Sequence, residues 1–264
     1  MAAYMWIAQT KFDGAHLAFV WDINAACPGH FLEIFQPIPG VMFLTNISRY
    51  VLDKQAKINY ENSNAVFGWI MRMNNIPKSR HGFPTWNEIE YRMYSRYFAK
   101  PRIMQTVEAY VQQYNVCQSS AMHIRTTDMQ KSLESKHRRT TNMEAYFHFV
   151  ESRPPQEPVY LLTDSPQTQA TFLSRYGPQK ILVYAVIPNI TAPAPPTIST
   201  TESTSVVASS ALPTDYRYTT LEHTLVDILI AGHSREFKGS PFSSLTELVK
   251  MFGDIGRRDR GWCR

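Results

Sequence analysis

The segment AMHIRTTDM, residues 121–129, places a dense polar group directly after an apolar run. His123 and Arg125 are two residues apart at the end of a predicted strand, so their side chains project from the same face. An arginine near an apolar strand end generally needs a carboxylate or phosphate partner. The pattern therefore predicts an ion pair or an anion-binding site, although His123 could also be an ordinary buried histidine.

Polar side chains also follow two later predicted strands. Asp164 comes directly after PVYLLT, and Ser243 with Ser244 comes after REFKG, where a final helix begins. In an open α/β sheet, ligands bind in the crevice beyond the carboxyl ends of the strands. The first turn of a helix also offers backbone N–H groups that favour phosphate. The same residues could instead be ordinary helix caps, and both interpretations remain open.

Asp227 lies in TLVDILIAG, a predicted helix that is apolar around most of its circumference. His223, one turn earlier, is on the same narrow polar stripe. The stripe could face water, or it could face the crevice. In the crevice, a carboxylate could accept hydrogen bonds from a ligand or hold a basic side chain.

The elements that would position these side chains alternate regularly in the second half of the chain. Strands followed by helices of about ten residues indicate βαβ units and a parallel sheet. The sequence thus predicts an α/β fold in which the C-terminal part is a doubly wound parallel sheet. The predicted strands are SSAMHIR, PVYLLTD, KILVYAVI and REFKG, and the predicted helices are NMEAYFHFV, QTQATFLSRYG, TTLEHTLVDILIAG and SSLTELVKMF.

The first half shows a similar rhythm, and one segment interrupts the second. A helix over 2–10, a strand over 16–21, a short helix over 31–36 and a strand over 41–44 are predicted, followed by helices in EIEYRMYSRYF and IMQTVEAYVQQY. A Pro, Ser and Thr-rich stretch at about 190–214 has almost no charge. It cannot bury enough apolar surface to order itself, which predicts a flexible insertion.

Composition excludes several classes of protein. The 264 residues are 44% hydrophobic and 19% charged, which is typical of a globular chain. No run approaches the roughly 20 apolar residues of a membrane span, and no signal peptide is seen, so we expect a soluble, cytoplasmic protein. The three cysteines lack metal-like spacing, which favours free thiols and no metal.

The net charge of +5 suits an anionic ligand, whereas no nucleic-acid-binding motif accompanies it. Four arginines lie in the C-terminal segment GRRDRGWCR. We expect this segment to be a solvated end, because a short basic tail alone is a weak signal of binding.

The order of these motifs resembles the fucosyltransferase superfamily, which includes α-1,6-fucosyltransferases, nodulation fucosyltransferases and protein O-fucosyltransferases. The resemblance covers residues 116–252 apart from the insertion, and FVWDINAACPGHFLEIFQPI resembles part of the family's N-terminal domain. The motifs that carry it are His123-x-Arg125 with Thr127 and Asp128, Asn142 to Tyr146, Val159 to Asp164, Arg217 to Thr219, Val226 to Leu229, and Phe242 to Ser244.

The resemblance implies a glycosyltransferase with two Rossmann-like domains, called GT-B, that transfers fucose from GDP-fucose with inversion and without a metal. It implies an acceptor-side domain over 1–115 and a nucleotide-sugar-binding domain over 116–264. Glycan or glycoprotein acceptors would be the partners, and no cofactor beyond the GDP-sugar would be needed. An arginine can replace a metal because it stabilises charge that develops on the leaving group.

The resemblance also implies roles for individual residues. Arg125 would bind the β-phosphate and stabilise the departing GDP, and His123 would shape the pocket. Asp164 and Asp227 would contact the guanosine portion or support neighbouring binding groups, and Ser243 and Ser244 would reach the diphosphate. Glu134 is the candidate general base.

Two positions depart from the family pattern. The chain begins at the helix that normally follows a Gly-rich loop, so we expect a truncated N-terminal domain. If a segment precedes Met1, we expect the protein to reside in the Golgi or endoplasmic reticulum. Thr126 stands where the α-1,6 enzymes have a second arginine. Two hypotheses therefore remain open, an active transferase and a non-catalytic relative that binds nucleotide or glycan.

Overall fold

The computed structural model describes residues 17–20, 29–39, 41–44, 91, 94–125, 142–187, 220–241 and 243–263. Several sequence predictions lie outside these residues, and they remain predictions. They are the helix over 2–10, the insertion at 190–214, the segment from Thr126 to Asp128, and the candidate base Glu134.

Among the described residues, the N-terminal part includes two parallel strands and two helices. Strand β1 (Leu17–Val20) pairs with β2 (Val41–Leu44), and the short helix α1 (Phe31–Ile34) lies between them in sequence. The imidazole Nδ1 of His30 accepts a hydrogen bond from the Leu32 N–H and so caps α1. Helix α2 (Pro101–Gln113) follows, with proline in its first turn as a helix start favours.

The C-terminal part is a four-stranded sheet in which every pair is parallel. The order is β5-β4-β3-β6, so the chain adds strands on one side of β3 and later returns to the other side. The strands are β3 (Ser120–Ile124), β4 (Val159–Thr163), β5 (Ile181–Leu182) and β6 (Glu236–Lys238). The helices are α3 (Met143–Glu151), α4 (Pro166–Tyr176), α5 (Leu221–His233) and α6 (Ser244–Asp259).

Helices cover both faces of this sheet. Successive side chains of each strand point to opposite faces, and apolar side chains on both faces need to be buried. Met122 and Leu161 pack against side chains of α3 and α4. Ala121, Tyr160 and Leu162 point to the opposite face and pack against α2, α5 and α6. Burial on both faces explains why β3 and β4 consist mainly of apolar residues. The predicted α/β fold with a doubly wound parallel sheet is confirmed.

Strand β5 is much shorter than the predicted segment 180–187. Beyond Leu182, side chains occupy backbone groups that would otherwise pair with β4. The Tyr110 hydroxyl donates to the Val183 carbonyl (3.0 Å), and the Gln169 side chain bonds both the Ala185 carbonyl (3.0 Å) and the Ile187 N–H (2.8 Å). These side chains come from α2 and α4, and local hydrophobicity does not reveal them.

Helix α6 continues to Asp259, beyond the predicted end at Phe252, and the chain that follows it is packed. Trp262 is 9% exposed and stacks on His233, with ring centroids 3.8 Å apart. A Cβ on Gly256 would lie only 1.9 Å from the Trp262 ring, so glycine serves close packing here. The Arg260 guanidinium donates to the Tyr97 carbonyl (2.9 Å). The prediction of a solvated tail therefore holds for Arg257 and Arg258, which are exposed, and is wrong for Arg260 and Trp262.

Cys117 and Cys263 form a disulfide, so the free-thiol prediction is wrong for these two residues. Their Cα atoms lie 5.4 Å apart although 146 positions separate them in sequence, because α6 returns to the 3₁₀ turn Val116–Gln118. Because the two cysteines are so far apart in the sequence, no sequence motif identifies them as a pair. None of the helices in the described residues has the length and apolar character needed to cross a membrane.

Replacing both Cys117 and Cys263 with serine is expected to lower the free energy of unfolding by about 2 to 5 kcal/mol, because the bond closes a long loop in the unfolded chain. Urea unfolding measures the change. A reductant should lower wild-type stability to that of the double variant and leave the variant unchanged. A wild type that is insensitive to reduction would contradict the disulfide.

Candidate functional site

A cavity of about 310 Å³ opens at the carboxyl edge of the C-terminal sheet. It lies at the point where β4 and β6 flank β3 on opposite sides, which is where open α/β sheets bind ligands. Apolar side chains from α1, α5 and α6 form most of its wall. The polar side chains that reach it are His123, Arg125, Thr163, Asp164, Thr224, Asp227 and Ser244.

Arg125 and Asp164 face each other across the ends of β3 and β4. The Arg125 Nε atom lies 3.9 Å from Asp164 Oδ2, and the two side chains are 13% and 12% exposed. The register pairs His123 with Leu162. Arg125 and Asp164 each follow two residues later, so their side chains leave the sheet on the same face. A guanidinium has five N–H donors, more than one carboxylate uses, so Arg125 can bind an anion while Asp164 holds it in place. Asp164 does not cap α4, because the Ser165 hydroxyl does so.

His123 is buried and is fixed by the first turn of α6. Its Nδ1 atom lies 3.0 Å from Thr246 Oγ1. The same hydroxyl accepts from the Ser240 N–H (3.0 Å), so one threonine connects the end of β3 with the loop after β6. Gly239 allows this approach, because a Cβ there would lie 2.1 Å from the Thr246 side chain. Sequence reasoning missed Thr246, whose only signal was its place in the first turn of a helix.

The amino end of α6 is arranged differently from an ordinary serine-capped helix. Ser243 occupies the N-cap position, yet its side chain makes no capping hydrogen bond. Its hydroxyl is buried and has no hydrogen-bond partner among the residues described. Buried polar atoms are nearly always satisfied in folded proteins, so a hydroxyl of this kind is suited to contact a ligand. Ser244, the next residue, lines the cavity itself.

Asp227 is the other carboxylate of the cavity, and Tyr160 holds it. The Tyr160 hydroxyl donates to Asp227 Oδ1 over 2.5 Å. Burial raises the pKa of Asp227 to about 7, and the tyrosine hydrogen bond partly opposes this rise. Both burial and the nearby Asp227 raise the pKa of Tyr160 well above its ordinary value. The polar stripe of α5 therefore faces the crevice at Asp227.

A second cavity of about 110 Å³ lies on the other side of the Asp227 side chain. Asp227 and Thr163 line both cavities, and His223 and Tyr184 line the smaller one. The rings of Tyr184 and His223 meet edge to face, with centroids 5.7 Å apart. Asp227 thus borders two cavities at the end of the sheet.

The structure gathers most of the predicted site residues around the larger cavity. His123, Arg125, Asp164, Asp227 and Ser244 line it, and Ser243 precedes Ser244 at the helix end. The roles assigned to them stay predictions. Within the described part of the chain, no group of three or more metal-ligating side chains is found.

Comparison with solved structures finds the same fold in a fucosyltransferase. A crystal structure of the NodZ α-1,6-fucosyltransferase co-crystallised with GDP is 14% identical to this chain with a TM-score of 0.50, over 94% of this chain and 85% of that chain. A structure of the fucosyltransferase NodZ from Bradyrhizobium is 13% identical with a TM-score of 0.51, over the same shares. No family model and no curated protein matches. At these identities the likeness establishes the fold, and it confirms the resemblance seen in the sequence motifs.

Thr246→Val is expected to lower the free energy of unfolding by about 1 to 3 kcal/mol, because it removes a buried hydroxyl that contacts both His123 and the Ser240 backbone. Chemical denaturation measures the loss. Thr171→Val is the matched control, since its hydroxyl bonds the Gln167 carbonyl on an exposed helix face and should matter little. Equal effects of the two variants would contradict a special role for Thr246.

Asp227→Asn is expected to stabilise the protein increasingly as pH rises. The pKa of Asp227 is higher in the folded protein than in the unfolded chain, so wild-type stability is lost as pH rises from about 4 to about 7. Asparagine does not ionise, so the gain in Tm over wild type should be larger at pH 8 than at pH 5. Asp254→Asn, at an exposed carboxylate, is the control. A gain that is independent of pH would show that Asp227 does not ionise as described.

Proposed function

We propose that this cavity binds a GDP-sugar and that the protein transfers its sugar, fucose, to a hydroxyl group of a glycan or protein. The observation that supports the proposal best is the convergence of Arg125, Ser244 and Asp227 on one cavity at the switch point of the sheet. This set offers cationic and helix-end groups for a diphosphate and a carboxylate for the base. A relative of the same fold was crystallised with GDP.

The diphosphate would lie between Arg125 and the amino end of α6. The guanidinium supplies N–H donors to phosphate oxygens, and the unpaired N–H groups of the first helical turn supply more. The buried Ser243 hydroxyl would gain the partner that it lacks among the described residues. Asp164 would keep the guanidinium in position through its ion pair.

In the transfer step, the bond between sugar C1 and the β-phosphate oxygen breaks, and its electron pair stays with GDP. The acceptor oxygen attacks C1 from the opposite face, which inverts the configuration, while a general base takes the acceptor proton. Arg125 lowers the barrier by stabilising the charge that develops on the leaving diphosphate, so no metal is required. Glu134 is the proposed base, and it lies outside the described residues.

The alternative is a non-catalytic relative that binds nucleotide or glycan. In the described part of the cavity wall, the carboxylates are Asp164 and Asp227, and each already contacts Arg125 or Tyr160. Neither is therefore well placed to take a proton from an acceptor. Enzyme activity thus depends on a base from elsewhere in the chain. An assay of sugar transfer can therefore separate the enzyme from the binding protein.

Arg125→Ala is expected to weaken GDP binding about tenfold or more, because charged hydrogen bonds to phosphate are each worth roughly 1.5 to 3 kcal/mol. Titration calorimetry with GDP, and with UDP as the control nucleotide, measures this. Arg125→Lys should also weaken binding, since an ammonium does not reproduce the guanidinium fork. Arg175→Ala, which removes an exposed ion pair with Glu151, should not.

The same titration decides between outcomes. GDP-selective binding that is lost in Arg125→Ala supports the donor site, and release of GDP from GDP-fucose with a glycan acceptor would then separate the enzyme from the binding protein. A folded wild type that binds neither nucleotide would overturn the proposal.

A further inference from the structure

Asp227 depends on Tyr160 for its ionised form. Within the described residues, the Tyr160 hydroxyl is the one hydrogen-bonding group that lowers the pKa of this carboxyl against the effect of burial. The hydrogen bond is short, 2.5 Å, and reaches across the interface between β4 and α5. Asp227 lines two cavities, and Thr163 lines both with it.

The tyrosine ring cannot easily turn away from Asp227. Tyr160 is fully buried and packs edge to face against Tyr110, with ring centroids 5.7 Å apart. Tyr110 is itself anchored, because its hydroxyl donates to the Val183 carbonyl at 3.0 Å. The Tyr160 hydroxyl therefore stays on Oδ1, and the orientation of the Asp227 carboxyl is set by the core of the sheet.

The protonation state of a carboxyl decides which purine edge it fits. An ionised carboxylate only accepts hydrogen bonds, with about four lone-pair positions on its two oxygens, whereas a protonated carboxyl donates one. Guanine presents two adjacent donors, N1–H and the 2-amino group, which match the ionised form. Adenine presents an amino donor beside the N1 acceptor, an edge that matches the protonated form.

We propose that Tyr160 is a positioning residue of the nucleotide site, which holds Asp227 ionised and oriented so that the site selects guanine over adenine. This inference rests on the proposed function, because it assumes that a purine nucleotide occupies the cavity. Tyr160 would touch no ligand atom and would act through Asp227 alone. Loss of its hydroxyl would leave the carboxyl protonated over a wider pH range and weaken its fit to guanine.

Other titratable groups around Asp227 must be separated from this effect. The ring of Tyr184, after β5, contacts the rings of Tyr110 on α2 and His223 on α5. His223 lies one turn before Asp227. The groups that line the larger cavity with Asp227 are His123, Arg125 and Asp164. The terminal phosphate of GDP itself titrates at about pH 6, so a variant lacking Asp227 is needed as a reference.

The test measures Kd for GDP and for ADP between pH 6 and pH 9 in wild type, Tyr160→Phe and Asp227→Asn. Wild-type affinity for GDP should rise with pH as Asp227 ionises. In Tyr160→Phe the rise should move to higher pH, so that GDP binding is about threefold or more weaker at pH 7 and recovers near pH 9. The preference for GDP over ADP should narrow in parallel, and Asp227→Asn should lose this part of the pH profile.

Tyr176→Phe is the matched control, because its hydroxyl also donates to a carboxylate, Glu151 at 2.8 Å, but on the protein surface. Its pH profile should coincide with that of wild type. A pH-independent loss of affinity in Tyr160→Phe would indicate a merely structural role and would overturn the inference while the proposed function stands. A wild type that fails to bind GDP would overturn both.

A second measurement does not require Tyr160→Phe to fold. GDP binding to wild type at pH 7 should release about half a proton from Asp227, because the carboxyl is near the midpoint of its titration there and the bound base needs the ionised form. Calorimetry in buffers of different ionisation enthalpy measures the release, with Asp227→Asn as the reference. Equal proton release by the two proteins would overturn the inference.

Discussion

The candidate site depends on one feature of chain topology, the parallel pairing of β3 with both β4 and β6. Because the three strands end at the same edge, the residues that follow them meet there, although β3 and β6 are more than a hundred positions apart in the chain. The Thr246 hydroxyl, which contacts His123 and the Ser240 backbone, joins two of these ends directly. Loss of the β6 pairing would separate the arginine from the helix end that is proposed to share its phosphate.

Helix α5 carries the second constraint, because it packs on the sheet and on α6 at once. Gly232 and Gly253 bring the helices together, since a Cβ on Gly253 would lie 2.9 Å from the Gly232 carbonyl. On the side of α5 that packs on the sheet, Asp227 contacts the Tyr160 hydroxyl. Burying a carboxyl lowers the stability of the protein. Residues that lower stability are often those that function requires.

Much of this arrangement could be predicted from the sequence. Apolar strands of five residues followed by amphipathic helices define the parallel sheet, and the rule on strand ends places His123, Arg125, Asp164 and Ser244 together. The fucosyltransferase motifs point to the same residues. These predictions succeed because they depend on local periodicity and on chain order. The chain shares its fold with NodZ although only 13% of the aligned residues are identical.

What the sequence could not reveal depends on contacts between distant residues. Neither the disulfide between Cys117 and Cys263 nor the early end of β5 has a local signature, because the partners come from other elements. Tyr160 illustrates this best. In sequence it is an ordinary aromatic residue of a buried strand, and only the packing of α5 turns its hydroxyl into the partner of Asp227. A strand residue that packs in the core can therefore also control the charge of a site. The burial that stabilises the tyrosine ring also raises the pKa of the neighbouring carboxyl, and the tyrosine hydroxyl stabilises the ionised form of that carboxyl.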